Sequence, residues 1–134
     1  MIIQLVTPAA ATSLVAVASA TTIAAMKHHR RVLLVAAPSA ADPRLARQRQ
    51  QLNDWREGAA ERDLTLVEVV GDHVEGAAEP ASALRRNWRL PARDFQVVLI
   101  GKDGNAALRR AEPLSADTIR ETIDAMPMRR AGLR

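Results

Sequence analysis

The chain has no cysteine among its 134 residues. Thiol–disulfide exchange and thiol-peroxidase reactions both need a thiolate nucleophile, so this protein cannot carry out either reaction. It cannot form a disulfide bond for the same reason. The absence leaves the cellular compartment open, because oxidising compartments permit disulfides without requiring them.

Aromatic residues are almost as scarce, with Trp55, Trp88 and Phe95 as the complete set. The hydrophobic core must therefore be built from aliphatic side chains. Nucleic-acid modules that stack bases depend on exposed aromatic side chains, and the scarcity argues against this class of protein.

Lysine is rare as well, since Lys27 and Lys102 stand against 17 arginines in a chain of formal net charge +4. Coding bias is the simpler cause. The functional alternative is a preference for carboxylate or phosphate groups, which a guanidinium binds through two parallel hydrogen bonds. Basic and acidic residues alternate, as in Glu61-Arg62-Asp63, and form no long basic stripe. We therefore predict no nucleic-acid partner.

Residues 1–26 contain no charged residue, and the basic run 27–31 follows at once. An export signal cleaved after 18–20 (Ala-Ser-Ala), a membrane anchor and an apolar segment packed on the domain are the three interpretations. We predict a leader over 1–26 and one domain over 27–134, in a periplasmic or secreted protein. A membrane-anchored or cytoplasmic protein is the alternative, and the membrane is a partner only if the leader is retained.

Strands and helices are predicted to alternate after the leader. Hydrophobic patterns indicate strands over 31–37, 64–70, 95–100 and 106–111, and helices over 45–58, 81–88 and 115–126, with an irregular stretch over 71–80. The helix between the first two strands makes them parallel, and Asp103-Gly104 makes the last pair an antiparallel hairpin. The fold class is therefore α/β.

Four segments carry a resemblance to a known family: 31–39 followed by Asp42-Pro43, then 61–63, 98–104 and 123–130. They resemble a bacterial domain family of unknown function in the thioredoxin- and peroxiredoxin-like superfamily. Related domains occur in vertebrate sushi-repeat and extracellular-matrix-associated proteins. The resemblance covers about residues 30–130. Together with the element order it implies a thioredoxin-like three-layer sandwich, with a mixed sheet of four strands, or five, and helices on both faces.

Compared with thioredoxin, the redox site is missing. Its nucleophilic cysteine falls at Ser39 or Ala40 of this chain, and its resolving cysteine falls at Asp42 or Pro43. Its cis-proline corresponds to Gln96. The resemblance therefore implies the fold of thioredoxin, and the missing cysteines exclude its thiol–disulfide reaction.

The turn after the first strand is the first candidate site, a weak ligand-binding site of Ser39, Asp42, Arg44 and Arg47. Asp42 is predicted to cap a helix that begins at Pro43. The start of this helix has free N–H groups and two nearby arginines, which could bind an anion. However, the Asp42 carboxylate competes for the same N–H groups, so a simple capped helix is the structural alternative. Ser39 as the nucleophile of a cysteine-free enzyme is a further alternative, for which no histidine stands nearby in sequence.

Two segments near the carboxyl end are candidate partner-binding residues. Lys102 and Asp103 lie in the predicted hairpin turn, whose geometry alone accounts for an Asp-Gly pair. Met128, Arg129 and Arg130 follow Pro127 in a segment predicted to be extended, where a methionine could adapt to a partner. The alternative is that this methionine closes the core while the arginines remain solvated.

These features together predict a non-catalytic binding or scaffold module. The predicted partner is a protein or a small anionic ligand, with no cofactor and no metal, because the His28-His29 pair has no further ligand nearby in sequence. A cysteine-free enzyme or anion-binding domain at the strand-one corner, and a membrane-tethered accessory domain, are the alternatives. The sequence does not indicate an oligomeric state.

Overall fold

The computed structural model describes residues 21–134. We number the helices and strands of this part in chain order: α1 (Ile23–Met26), β1 (Arg31–Ala37), α2 (Pro43–Asn53), α3 (Arg56–Glu61), β2 (Leu64–Val70), β3 (His73–Glu75), α4 (Ala81–Trp88), β4 (Gln96–Ile100), β5 (Ala106–Arg110), α5 (Ala116–Asp124) and α6 (Pro127–Arg130). No helix within this part is long and apolar enough to cross a membrane.

The five strands form one mixed sheet in the order β3-β2-β1-β4-β5. β1 pairs in parallel with β2, and every other neighbouring pair is antiparallel. All seven residues of β1 are buried, as expected for the central strand of a sheet covered on both faces. The predicted topology is therefore confirmed, with five strands rather than four.

Alternate residues of β1 face two separate hydrophobic clusters, because successive side chains of a strand point to opposite faces. Val32, Leu34 and Ala36 pack with α1 and α4 on one face. The other face packs with α2, α3 and α5, and contains Leu33, Val35, Ala37, Leu45, Phe95, Ile119 and Ile123. The molecule is thus a sandwich of helix, sheet and helix layers.

The short helix α1 precedes the central strand. Its Ile23 and Met26 are buried in the first of the two clusters, and Thr22 caps the helix by accepting a hydrogen bond from the Ala25 N–H. Ordered packing therefore begins before residue 27. The predicted cleavage site at 18–20 lies outside the described residues, and a cut there would leave α1 attached to the domain.

Three local predictions are wrong. The stretch predicted as irregular contains β3, which pairs with β2 beyond a turn at Gly71. The helix predicted over 45–58 breaks at 54–55, where the Trp55 side chain turns onto the second cluster. Pro127 opens the helical turn α6 instead of preceding an extended segment, since proline suits the first position of a helix.

Candidate functional site

The corner after β1 is closed by its own side chains. The Asp42 carboxylate accepts hydrogen bonds from the Arg44 backbone N–H at 2.9 Å and from the Arg44 guanidinium at 2.8 and 3.0 Å. These hydrogen bonds lower the pKa of Asp42. The same guanidinium lies 3.4 Å from Asp94 and stacks 5.2 Å from the centre of the Phe95 ring. Arg44 is thus already occupied by two carboxylates.

The two other predicted residues of this corner, Ser39 and Arg47, are exposed. His73 lies at the same end of the sheet, but strand pairing places it two strands away from β1, a spacing of about 10 Å. Its Nε2 is 2.9 Å from the Glu75 carboxylate. The structure therefore brings Asp42 and Arg44 together. His73 lies too far from Ser39 to act as its general base.

A network of ion pairs occupies the opposite end of the sheet, where β1 and β2 begin. At its centre is Asp63, which follows α3 at φ 52°. Its carboxylate accepts hydrogen bonds from Lys102 Nζ at 2.8 Å and from Arg134 Nη2 at 2.7 Å. These two cations hold the pKa of Asp63 well below its usual range. Lys102, predicted as a partner-binding residue of the hairpin turn, is buried, with 7% of its surface exposed.

A second branch of this network joins the last helices to α3. Arg62 donates two hydrogen bonds to the Asp124 carboxylate, at 3.0 and 3.1 Å, and lies 5.2 Å from the centre of the Trp55 ring. Arg129 contacts the same carboxylate at 3.4 Å and Glu61 at 3.0 Å. The hydrogen bonds from Arg62 are the main cause that lowers the pKa of Asp124. The network therefore connects α5 and α6 to the end of α3.

Arg31, the first residue of β1, differs from the other cations of this end. Its side chain is buried, with 1% of the residue exposed, and its Nη1 donates a 2.7 Å hydrogen bond to the carbonyl of Arg62. Its Nε has no hydrogen-bond partner in the described part of the chain. Within residues 21–134, no carboxylate lies within ion-pair distance of this guanidinium. Burial, and secondarily the charge of Arg129, lowers the pKa of Arg31.

A cleft of about 280 Å³ opens beside Arg31, between the β4–β5 hairpin and α6. We call it the hairpin–tail cleft. Its principal lining residues are Arg31, Lys102, Asp103, Ala106, Ala107, Met126, Pro127 and Met128. The cleft brings together three of the predicted partner-binding residues, Lys102, Asp103 and Met128. The other two lie outside it: Arg129 pairs with acids of the network, and Arg130 is exposed.

Sequence reasoning missed Arg31 and Asp63 as site residues. Arg31 was predicted only as the start of a buried strand, although a charged residue at the head of such a strand is a signal in itself, because buried charges need partners. Asp63 belongs to one of the four segments that carry the family resemblance. All four segments contribute to this end of the sheet, through Arg31, through 61–63, through Lys102 and through Asp124 with Arg129.

A wider groove lies over β2 and carries arginines of its own. Arg49 donates two 2.7 Å hydrogen bonds to Glu68, whose carboxylate is almost fully buried. Because Glu68 already neutralises Arg49, this groove is a weaker candidate site for an anion than the hairpin–tail cleft. The described part of the chain contains no cluster of three metal-ligating side chains among its His, Asp and Glu residues.

Three solved structures are similar in fold, each at a sequence identity that supports the fold alone. A thiol:disulfide interchange protein of the thioredoxin family from Chlorobium tepidum TLS has a TM-score of 0.57 at 13% identity and covers 79% of this chain and 90% of its own. A malarial protein has a TM-score of 0.52 at 12% identity, with coverages of 72% and 96%. StoA from Bacillus subtilis has a TM-score of 0.50 at 13% identity, with coverages of 69% and 81%.

No curated protein matches the chain significantly. The fold is thioredoxin-like, as the strand order and these structural relatives show. The sequence pattern of one family matches residues 22–132, which is most of the chain and includes α1. The chain therefore belongs to the family described as domain of unknown function (DUF4174).

Proposed function

We propose that this protein is a non-catalytic binding module and that the hairpin–tail cleft is its binding site. The observation that carries the proposal is a convergence: the segments of the family resemblance meet at the end of the sheet where the cleft opens on a buried cation. Ligand pockets typically combine apolar walls with a few placed polar groups. This cleft has both.

The closed corner after β1 supports the same choice. In this thioredoxin-like chain the corner holds no cysteine, and Arg44 is tied to Asp42 and Asp94. An anion at that place would have to displace two carboxylates. The predicted ligand site of Ser39, Asp42, Arg44 and Arg47 therefore stays a prediction and becomes the second candidate.

A thermal-shift screen of the full chain, with small carboxylates, phosphates, nucleotides and metal ions, tests the proposal. A compound that binds the native state raises the melting temperature. Ala107→Phe places a large side chain in the cleft from an exposed position of β5, while Arg44→Ala opens the corner. Stabilisation that disappears in Ala107→Phe and persists in Arg44→Ala supports the cleft. The reverse pattern contradicts it.

We also propose that the protein is exported and acts in the periplasm or outside the cell. The support is the uncharged apolar leader with its small-residue motif at 18–20. The relation to vertebrate sushi-repeat and matrix-associated proteins remains part of this proposal, based on the sequence resemblance alone.

A further inference from the structure

We infer that the hairpin–tail cleft takes a small apolar carboxylic acid, whose carboxylate neutralises the guanidinium of Arg31. This inference rests on the proposed function, because it assigns a ligand to the same cleft. It adds the chemical class of that ligand and the residue that selects it.

The burial of Arg31 is the first ground. Arg31 is one of the residues that line the cleft. Its guanidinium has one hydrogen bond, to a backbone carbonyl, and within residues 21–134 its Nε is unpaired in a position with almost no access to water. Within residues 21–134 the nearest opposing charges, Asp63 and Asp124, act on this guanidinium only from beyond ion-pair distance. A buried charge without a close partner is unfavourable. An anion in the cleft removes this cost, because Coulomb attraction is strong where water is excluded.

The charge balance of the surrounding network is the second ground. Five cations face three carboxylates there: Arg31, Arg62, Lys102, Arg129 and Arg134 against Glu61, Asp63 and Asp124. Asp103, also on the cleft lining and exposed, adds a fourth carboxylate, which accepts a hydrogen bond from the Asn105 N–H. One positive charge remains in excess, and a singly charged carboxylate balances it better than a doubly charged phosphate.

The walls of the cleft determine the polarity and the size of the ligand beyond its carboxylate. Ala106, Ala107, Met126, Pro127 and Met128 present mostly apolar surface. The volume of about 280 Å³ lies at the lower end for ligand pockets, so the ligand is small. Methionine side chains adapt to the shape of an apolar group, which suits a short aliphatic chain.

The four methionines of the chain provide a direct assay. The full chain is labelled with ¹³C at the methionine methyl groups and titrated, by NMR, with 4-methylpentanoate and with its neutral analogue 4-methylpentanamide. We expect the acid to shift the signals of Met126 and Met128, which line the cleft, and not that of Met26, which lies in the core beneath α1. We expect the acid to bind at least about tenfold more tightly than the amide, because a hydrogen bond between two charged groups is stronger than one to a neutral group.

Two arginine variants identify the selecting residue. Arg31→Gln removes the charge and keeps a hydrogen-bond donor, so the affinity for the acid should fall to that for the amide. Arg47→Gln, at the exposed corner, should leave both affinities unchanged. If Arg31→Gln does not fold, the comparison of the acid with the amide in the unaltered protein still decides whether the cleft selects a carboxylate.

The outcomes separate this inference from the proposed function. If the amide shifts Met126 and Met128 with the affinity of the acid, the carboxylate assignment is overturned while the cleft remains the binding site. If neither probe shifts these signals, the inference is overturned. The thermal-shift screen with Ala107→Phe then judges the proposed function on its own.

Discussion

Asp63→Asn is expected to lower the free energy of unfolding at pH 7 by about 3 kcal/mol. The carboxylate holds Lys102 Nζ at 2.8 Å and Arg134 Nη2 at 2.7 Å, and the Lys102 side chain is only 7% exposed. Removing one partner of a buried ion pair costs about 3–5 kcal/mol, because the other charge is left buried. We take the low end because 18% of the Asp63 side chain is exposed. Asparagine tolerates the φ of 52°, so the backbone is not strained by the change.

The loss should shrink in acid. The ion pairs of Asp63 lower its pKa in the folded state, so the unfolded chain binds a proton more readily, and the stabilisation is present above the unfolded pKa of about 3.9. As the pH falls below that value, the unaltered protein loses about 1.4 kcal/mol of this contribution per pH unit. The variant has no carboxyl group at residue 63 to titrate. The difference between the two proteins therefore decreases.

Urea unfolding at pH 7 and at pH 3 measures both effects, with the slope of the transition checked for each protein. Asp117→Asn is the matched control, because that carboxylate is 82% exposed and, among residues 21–134, pairs only with Arg120. Its loss should cost under about 0.5 kcal/mol. A cost for Asp63→Asn no larger than the control, or one that does not change with pH, would refute the reasoning.

Three further outcomes follow from the structure. Gln48→Met leaves the Leu114 N–H and C=O unpaired in the core, where the amide now bonds both at 2.7 and 3.0 Å, and urea unfolding should show a loss of about 2–3 kcal/mol. Gly58→Ala places a Cβ against the Trp55 indole, closer than van der Waals contact allows, so the indole must move and the tryptophan emission spectrum should change. For a cleaved export signal, mass spectrometry should find a mature amino terminus at Thr21, whereas an intact Met1 in the membrane fraction would contradict cleavage and favour the membrane anchor.

Much of the fold could be predicted because its signals are local. The apolar run of β1, the Asp103-Gly104 turn and the Ser115 cap each specify one element, and the structure confirms all three. The three-residue strand β3 is too short to show a pattern of alternation. The break at Trp55 depends on packing against distant residues, which no window of sequence contains.

The candidate site was only partly predictable, because its charges come from distant parts of the chain. Lys102 was predicted as a partner-binding residue from its position in the turn, yet it is buried against Asp63, which lies 39 residues earlier. Similarly, Arg129 was predicted in an extended segment, but it bonds Glu61 across 68 residues. The pairing of such charges is set by the three-dimensional fold, so spacing along the sequence does not indicate it.

The location of binding is the central claim, and hydrogen–deuterium exchange of the full chain with and without excess 4-methylpentanoate tests it most directly. We predict slower exchange in the hairpin over 101–107 and in the tail over 126–130, which border the cleft, and no change over 38–47. Protection confined to 38–47 would place the site at the corner after β1 and contradict the account.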